Sequence, residues 1–114
     1  MTNISRITNR SAKIRRQIVD LLLLRQLLHH GEQCGWELAL AVEQFAEWPT
    51  AAGTVLPLMW RLQRRGLVRA RWITVSKRRR KQYRITAKGE AEYKEGIAEI
   101  EKLLQELRIP NSKQ

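Results

Sequence analysis

Apolar residues in the first third of the chain fall at helical spacing. Ile14, Ile18, Leu21, Leu22 and Leu28 share one face at three- and four-residue steps, which predicts a first helix from Ala12 to the glycine at Gly31. Residues 1–11 are polar, without period, and read as a flexible basic arm. After Gly35, Trp36, Leu38, Leu40, Val42 and Phe45 give a broad apolar face opposed by Glu37, Glu43, Gln44 and Glu47. Trp48–Pro49 stops this second helix, because a residue before proline avoids the helical region. Thr50 then suits the N-cap of a third helix with Val55, Leu58, Met59 and Leu62 inward, Pro57 in its first turns and Gly66 at its end.

The period then changes from about 3.6 to 2. Leu67, Val68, Ala70, Trp72, Ile73 and Val75 are interleaved with Arg69, Arg71 and Thr74, and β-branched residues are frequent, which predicts a strand. Residues 76–81 read as a polar, basic turn, and Tyr83, Ile85 and Thr86 as a returning strand. Thr86 is placed to cap a last helix, in which Tyr93, Ile97, Ile100, Leu104 and Leu107 step by four, three, four and three residues. That is an a/d seam two heptads long, flanked by Glu and Lys and ended by Pro110. The expected fold is mostly α with a small β-hairpin: a winged helix-turn-helix over 12–86, a dimerisation helix over 87–109 and a tail over 110–114.

Charge adds a partner to this outline. The 114 residues hold 22 Lys and Arg against 11 Asp and Glu, a formal net charge of +11, which favours polyanions. The imbalance is local. No acid occurs between Trp48 and Gly89, while Arg61, Arg64, Arg65, Arg69, Arg71, Lys77, Arg78, Arg79, Arg80, Lys81, Arg84 and Lys88 all fall there. The positive field thus coincides with the third helix and the hairpin, the two elements a winged helix lays on DNA. Thr50, Ala51, Ala52, Gly53 and Thr54 are small enough for close approach to a major groove. The two threonines can bond phosphates or bases, and Arg61 can reach the backbone or a base. Lys77 to Lys81 can pair with phosphates across a minor groove or insert an arginine into it.

Other chemistry is sparse. Cys34 is the single cysteine, so no internal disulfide and no cysteine zinc cage can form, and a reducing cytoplasm fits. His29 and His30 diverge by about 100° on a helix and cannot share a metal. No nucleophile–base–acid set or glycine-rich phosphate loop is present, so neither an enzyme nor a cofactor is expected. The polar, basic start is not a secretory signal, and the apolar run Leu21 to Leu24 is too short to span a bilayer. Trp36, Trp60 and Trp72 read as core or core-edge aromatics, and Tyr83 as packed against the third helix.

Three stretches resemble the PadR family of winged-helix regulators. Gly35 to Leu38 reads G-W-E-L, where the family often has H-G-Y-E-I. Gly53 to Pro57 reads G-T-V-L-P, followed by Leu62 and by R-G-L-V at Arg65 to Val68, similar to the family's G-T-L-Y-P and later E-G-L-V. Arg80 to Gly89 reads R-K-Q-Y-R-I-T-A-K-G, close to R-K-Y-Y-R-L-T-x-x-G. Order and spacing agree from about Ile18 to Leu107. The resemblance implies a homodimer held by the last helix, with two recognition helices and two wings facing one operator. It also implies that Gly53, Thr54, Arg61, Arg80 and Lys81 contact DNA. The operator is expected to be an inverted repeat, and the location cytoplasmic, on the nucleoid. The chain departs from the pattern at Leu56, where the family has tyrosine, and at Ala51–Ala52, where it has serine–proline. Its wing tip is more basic, and Tyr93 is the last helix's only aromatic, which gives little basis for a small-molecule effector. The function expected is transcriptional repression by sequence-specific DNA binding. The alternatives are a low-specificity architectural or RNA-associated protein and a protein-interaction module.

Overall fold

The computed structural model describes the backbone of residues 9–46 and 52–109 and the side chains of residues 18–45 and 55–109. Its elements, in chain order, are α1 (Asn9–His30), β1 (Gln33–Cys34), α2 (Gly35–Ala46), α3 (Ala52–Arg64), β2 (Val68–Val75), β3 (Arg78–Ile85) and α4 (Ala87–Leu107). Helix α1 begins three residues before the expected Ala12, inside the stretch read as an arm. It ends where Gly31 turns left-handed and donates its N–H to the Leu27 carbonyl at 3.0 Å. Helix α3 closes on a full Schellman motif: Gly66 donates to Gln63 and Leu67 to Leu62, both at 3.0 Å, with Gly66 at φ 78°. Pro57 is the sixth residue of α3, beyond the first turn, so its missing N–H leaves the Gly53 carbonyl without its helical donor.

The core lies between α1, α2, α3 and the base of the sheet. It contains Val19, Leu22, Leu23, Leu24, Leu27, Leu38, Ala39, Val42, Val55, Met59, Leu62, Leu67, Val68 and Tyr83, all buried. Each such leucine contributes about 1.5–3 kcal/mol on burial. This corrects two expected faces. On α1 the most deeply buried residues are Leu23, Leu24 and Leu27, whereas Ile18, Leu21 and Leu28 are only half-buried. Helix α1 is central, covered by the rest of the domain on one side and by α4 on another, so a single stripe does not describe it. On α2, Leu38, Ala39 and Val42 face inward, and Trp36, Leu40 and Phe45 are exposed.

The sheet is antiparallel with order β1-β3-β2, so the expected two-stranded hairpin gains a short third strand through Gln33↔Tyr83 and Cys34↔Gln82. Cys34 is buried, and its N–H donates to Glu37 Oε1 at 2.8 Å, half of a capping box for α2. Strand β3 packs on α1 and α2 while β2 packs on α3, and Tyr83 is buried in the one core cluster that also holds Val55, Met59 and Leu62 of α3. Burial pushes the Tyr83 hydroxyl pKa up.

Thr86 joins three elements. Its N–H donates to the Leu67 carbonyl at 3.0 Å, its hydroxyl donates to the Gly66 carbonyl at 2.7 Å, and its Oγ1 accepts from the Gly89 N–H at 3.0 Å. One side chain therefore caps α4 and ties it to the end of α3. Thr86→Ala should cost about 2 kcal/mol, a cap plus one further hydrogen bond, while Thr86→Ser should stay near wild type. Urea denaturation of the two variants tests this; equal midpoints would remove the hydroxyl from the account.

Candidate nucleic-acid interface

The wing is longer and its turn tighter than the sequence suggests. Val75 pairs with Arg78, leaving Ser76 and Lys77 as a two-residue loop with φ 51° and 65°. Positive φ at both positions makes a type I′ turn, whose twist matches that of the strands. Arg78, Arg79, Arg80 and Lys81, expected in the turn, are therefore strand residues; of the expected tip only Lys77 remains in the loop. Strand alternation then divides them. Arg79 and Lys81 share a face with Trp72, Arg79 stacking 4.7 Å from the Trp72 ring centroid and Lys81 lying 6.0 Å from it. Arg78 and Arg80 share the opposite face with Arg69, Arg71 and Arg84.

On α3, Val55, Met59 and Leu62 are fully buried. The opposite side of the helix carries Gly53, Pro57, Trp60 and Arg64 at steps of four, three and four. Trp60 is 56% exposed, and the Arg64 guanidinium lies 4.8 Å over its ring. Sequence reasoning missed this pair. Trp60, read as core or core-edge, is more than half exposed, as are Trp36 at 54% and Trp72 at 57%. Hydrophobicity alone assigns tryptophan to the interior; here three of them stand outside, two with cations stacked on them. Thr50, Ala51 and Trp48 lie outside the described residues, as do the side chains of Ala52 and Thr54; the backbone of residues 52–54 is the first turn of α3.

Arg61 is placed differently from the expectation. It stands to one side of that outward face and pairs with Asp20 on α1 at 3.2 Å. Arg65 pairs with Glu92 at 3.0 Å and Arg71 with Glu32 at 2.9 Å. The acids missing from the basic window are thus supplied in part by α1, the α1–β1 loop and α4. Exposed pairs of this kind are worth about 0–1 kcal/mol, so a phosphate can displace any of them. Among the described residues Arg64, Arg69, Lys77, Arg78, Arg79, Arg80, Lys81, Arg84 and Lys88 have no acidic partner.

Helix order, capped junctions and a basic hairpin beside a third helix with an outward basic–aromatic face form a winged helix-turn-helix. The sequence profile of the PadR-like transcriptional regulators matches residues 23–95, from α1 into α4. This chain belongs to the PadR-like family of transcriptional regulators. The fold is similar to the crystal structure of a PadR family regulator from Eggerthella lenta, with TM-score 0.79, 27% identity and coverage of 90% of this chain and 89% of that one. A transcriptional regulator from Clostridium thermocellum aligns at TM-score 0.70 and 24% identity over 85% of this chain and 96% of that one. Bacillus subtilis PadR, solved in complex with operator DNA, shares the fold at TM-score 0.61 and 20% identity, covering 86% of this chain and 53% of that one. No curated protein sequence matches the chain. The family is one of transcriptional regulators rather than enzymes. None of the described helices is long and apolar enough to cross a membrane.

The seam of α4 divides in two. Tyr93 packs on the core of its own chain, and Ile97 and Ile100 are half-buried in an apolar groove with Ile18, Leu21 and Phe45. Leu103, Leu104 and Leu107 stand exposed beyond the end of that groove, Leu107 at 79%. Tyr93, expected to face a partner, thus serves the intrachain contact first.

Proposed function

We propose that this protein is a homodimeric repressor that binds double-stranded DNA. Helix α3 enters the major groove, and the β2–β3 wing lies on the phosphate backbone or in the minor groove. The observation that carries this reading is the run of cations without an acidic partner among the described residues, on both faces of the wing beside the outward face of α3. Such density without acids is self-repulsive, and phosphates relieve it. Repression is the simplest output, because a dimer seated on a promoter excludes polymerase by volume alone. The exposed leucines of α4 support self-association, since they continue the half-buried heptad seam. Such a protein works in the cytoplasm, on the nucleoid. The expected small-residue contacts Gly53 and Thr54, in the first turn of α3, belong to this reading, as do Thr50 and Ala51, which precede that helix in sequence.

Footprinting on genomic fragments tests the reading. A protected inverted repeat with half-sites about 10 base pairs apart is expected. Protection that tracks only base composition would favour the low-specificity alternative. Replacing Leu104 and Leu107 together with lysine should give a monomer in sedimentation velocity and weaken operator binding on the order of 10²-fold, the contribution of bivalency. An intact dimer in that variant would place the interface elsewhere.

A further inference from the structure

The two halves of the interface differ in chemistry. The wing offers many cations, two of them beside the exposed Trp72 ring. The outward face of α3 offers one cation, one indole and the apolar surface of Leu56 and Pro57, both exposed. A tryptophan that is 56% exposed leaves a large apolar surface in water, and among the described residues the group stacked on its ring is the Arg64 guanidinium. The Arg64 guanidinium, 4.8 Å over that ring, is held by the indole and has no carboxylate partner among the described residues. Arg61, the other arginine near this face, is turned aside to Asp20.

We infer that Trp60 and Arg64 are the base-reading pair of α3, and that they select a guanine with a thymine one or two base pairs away. The inference rests on the DNA-binding reading above. The selection follows from the hydrogen-bonding inventory. Guanidinium and indole N–H groups only donate. Among the described side chains of this face none accepts. The amino groups at cytosine N4 and adenine N6 therefore find no acceptor on Trp60 or Arg64, and adenine offers a guanidinium only the single acceptor N7. Guanine presents two acceptors, O6 and N7, at the spacing of a guanidinium fork, and thymine presents a methyl group that an apolar ring can cover. The two side chains are one helical turn apart, about 6 Å along the axis, which spans one to two base steps of about 3.4 Å. The stacking limits the rotamers of Arg64 before DNA arrives, so less freedom is lost on binding.

The test selects duplexes from a randomised pool with the full-length protein and measures affinities by fluorescence anisotropy. The enriched sequence should contain the guanine and the neighbouring thymine. Replacing that thymine by deoxyuridine, which lacks only the methyl, should weaken the wild type about fourfold, the effect of one buried methyl. The Trp60→Ala variant should not feel that change. Replacing the guanine by 7-deazaguanine should weaken the wild type about tenfold, within the range of one bidentate contact. The Arg64→Ala variant should be indifferent to it, and Arg64→Lys should not restore the preference. Both residues are exposed, and thermal melts matching the wild type verify that the variants are folded. A selected sequence lacking the pair, or penalties equal in wild type and variants, overturns the assignment while leaving DNA binding intact. Absence of salt-dependent binding to any duplex would instead remove the DNA-binding reading itself.

Discussion

Replacing Arg78, Arg79 and Arg80 together with alanine is expected to weaken DNA binding on the order of 10²-fold at 150 mM salt, alike for all sequences. Each residue is exposed and unpaired among the described residues, so each is free to neutralise a phosphate. Loss of three such contacts should also lower the slope of log K against log salt by about three, because each phosphate contact releases close to one counterion. The strand register adds a finer expectation. Arg79 lies with Trp72 on one face of the wing, and Arg78 and Arg80 lie on the other. If only one face meets the duplex, either Arg79→Ala or the Arg78→Ala/Arg80→Ala pair will account for the whole change in slope. A salt titration of all three variants decides this. An unchanged slope in the triple variant would show that the wing does not touch DNA.

Gly89→Ala should be the most damaging conservative change in the fold. A Cβ built at Gly89 lands well inside van der Waals contact of the Leu67 carbonyl oxygen and 2.8 Å from Ile85 Cγ1. The carbonyl cannot move aside, because it already accepts the Thr86 N–H at 3.0 Å. Nor can Gly89 shift, since its own N–H bonds the Thr86 cap at 3.0 Å. The clash therefore sits where α3, β3 and α4 are tied together. About 3 kcal/mol of stability should be lost, the upper range of overpacking, which lowers the melting temperature by 10 °C or more in a domain of this size. Thermal denaturation followed by circular dichroism measures it. A melting temperature within two or three degrees of wild type would mean that the start of α4 repacks freely.

The clash also explains a motif. Thr86-Ala87-Lys88-Gly89 is legible in the sequence as a helix cap followed by glycine, but the reason for the glycine is not. It depends on a carbonyl 22 positions earlier, which only the folded chain brings there. The same division runs through the interface. The basic window is plain in the sequence because charge counts need no geometry. Which of its cations are free is not, because Asp20, Glu32 and Glu92 are distant in the chain and meet Arg61, Arg71 and Arg65 only through packing. The wing turn escaped notice for a local reason. Ser76–Lys77 lacks the Asn–Gly or Asp–Gly signature of a type I′ turn, and the tightness of the loop is imposed by the pairing of β2 with β3. Strand β1 is two residues long, too short for any period to register, and exists because Cys34 and Gln33 lie beside β3.

What the sequence determined by itself is what depends on neighbours in the chain. That covers the order of the four helices and the hairpin, the capped ends at Gly31, Gly66 and Thr86, the inward residues of α3, the basic balance and the family. Tertiary structure alone decided what depends on distant partners. It buried α1 on more than one side, divided the α4 seam into an intrachain half and an exposed half, and turned Arg61 toward α1. It also left Trp60 outside with Arg64 upon it. An apolar residue is driven from water wherever a surface can cover it, and no local pattern states where that surface will be. Among the described residues Trp60 finds no such apolar surface, and its position on the outward face of α3 is what leaves it available to a partner.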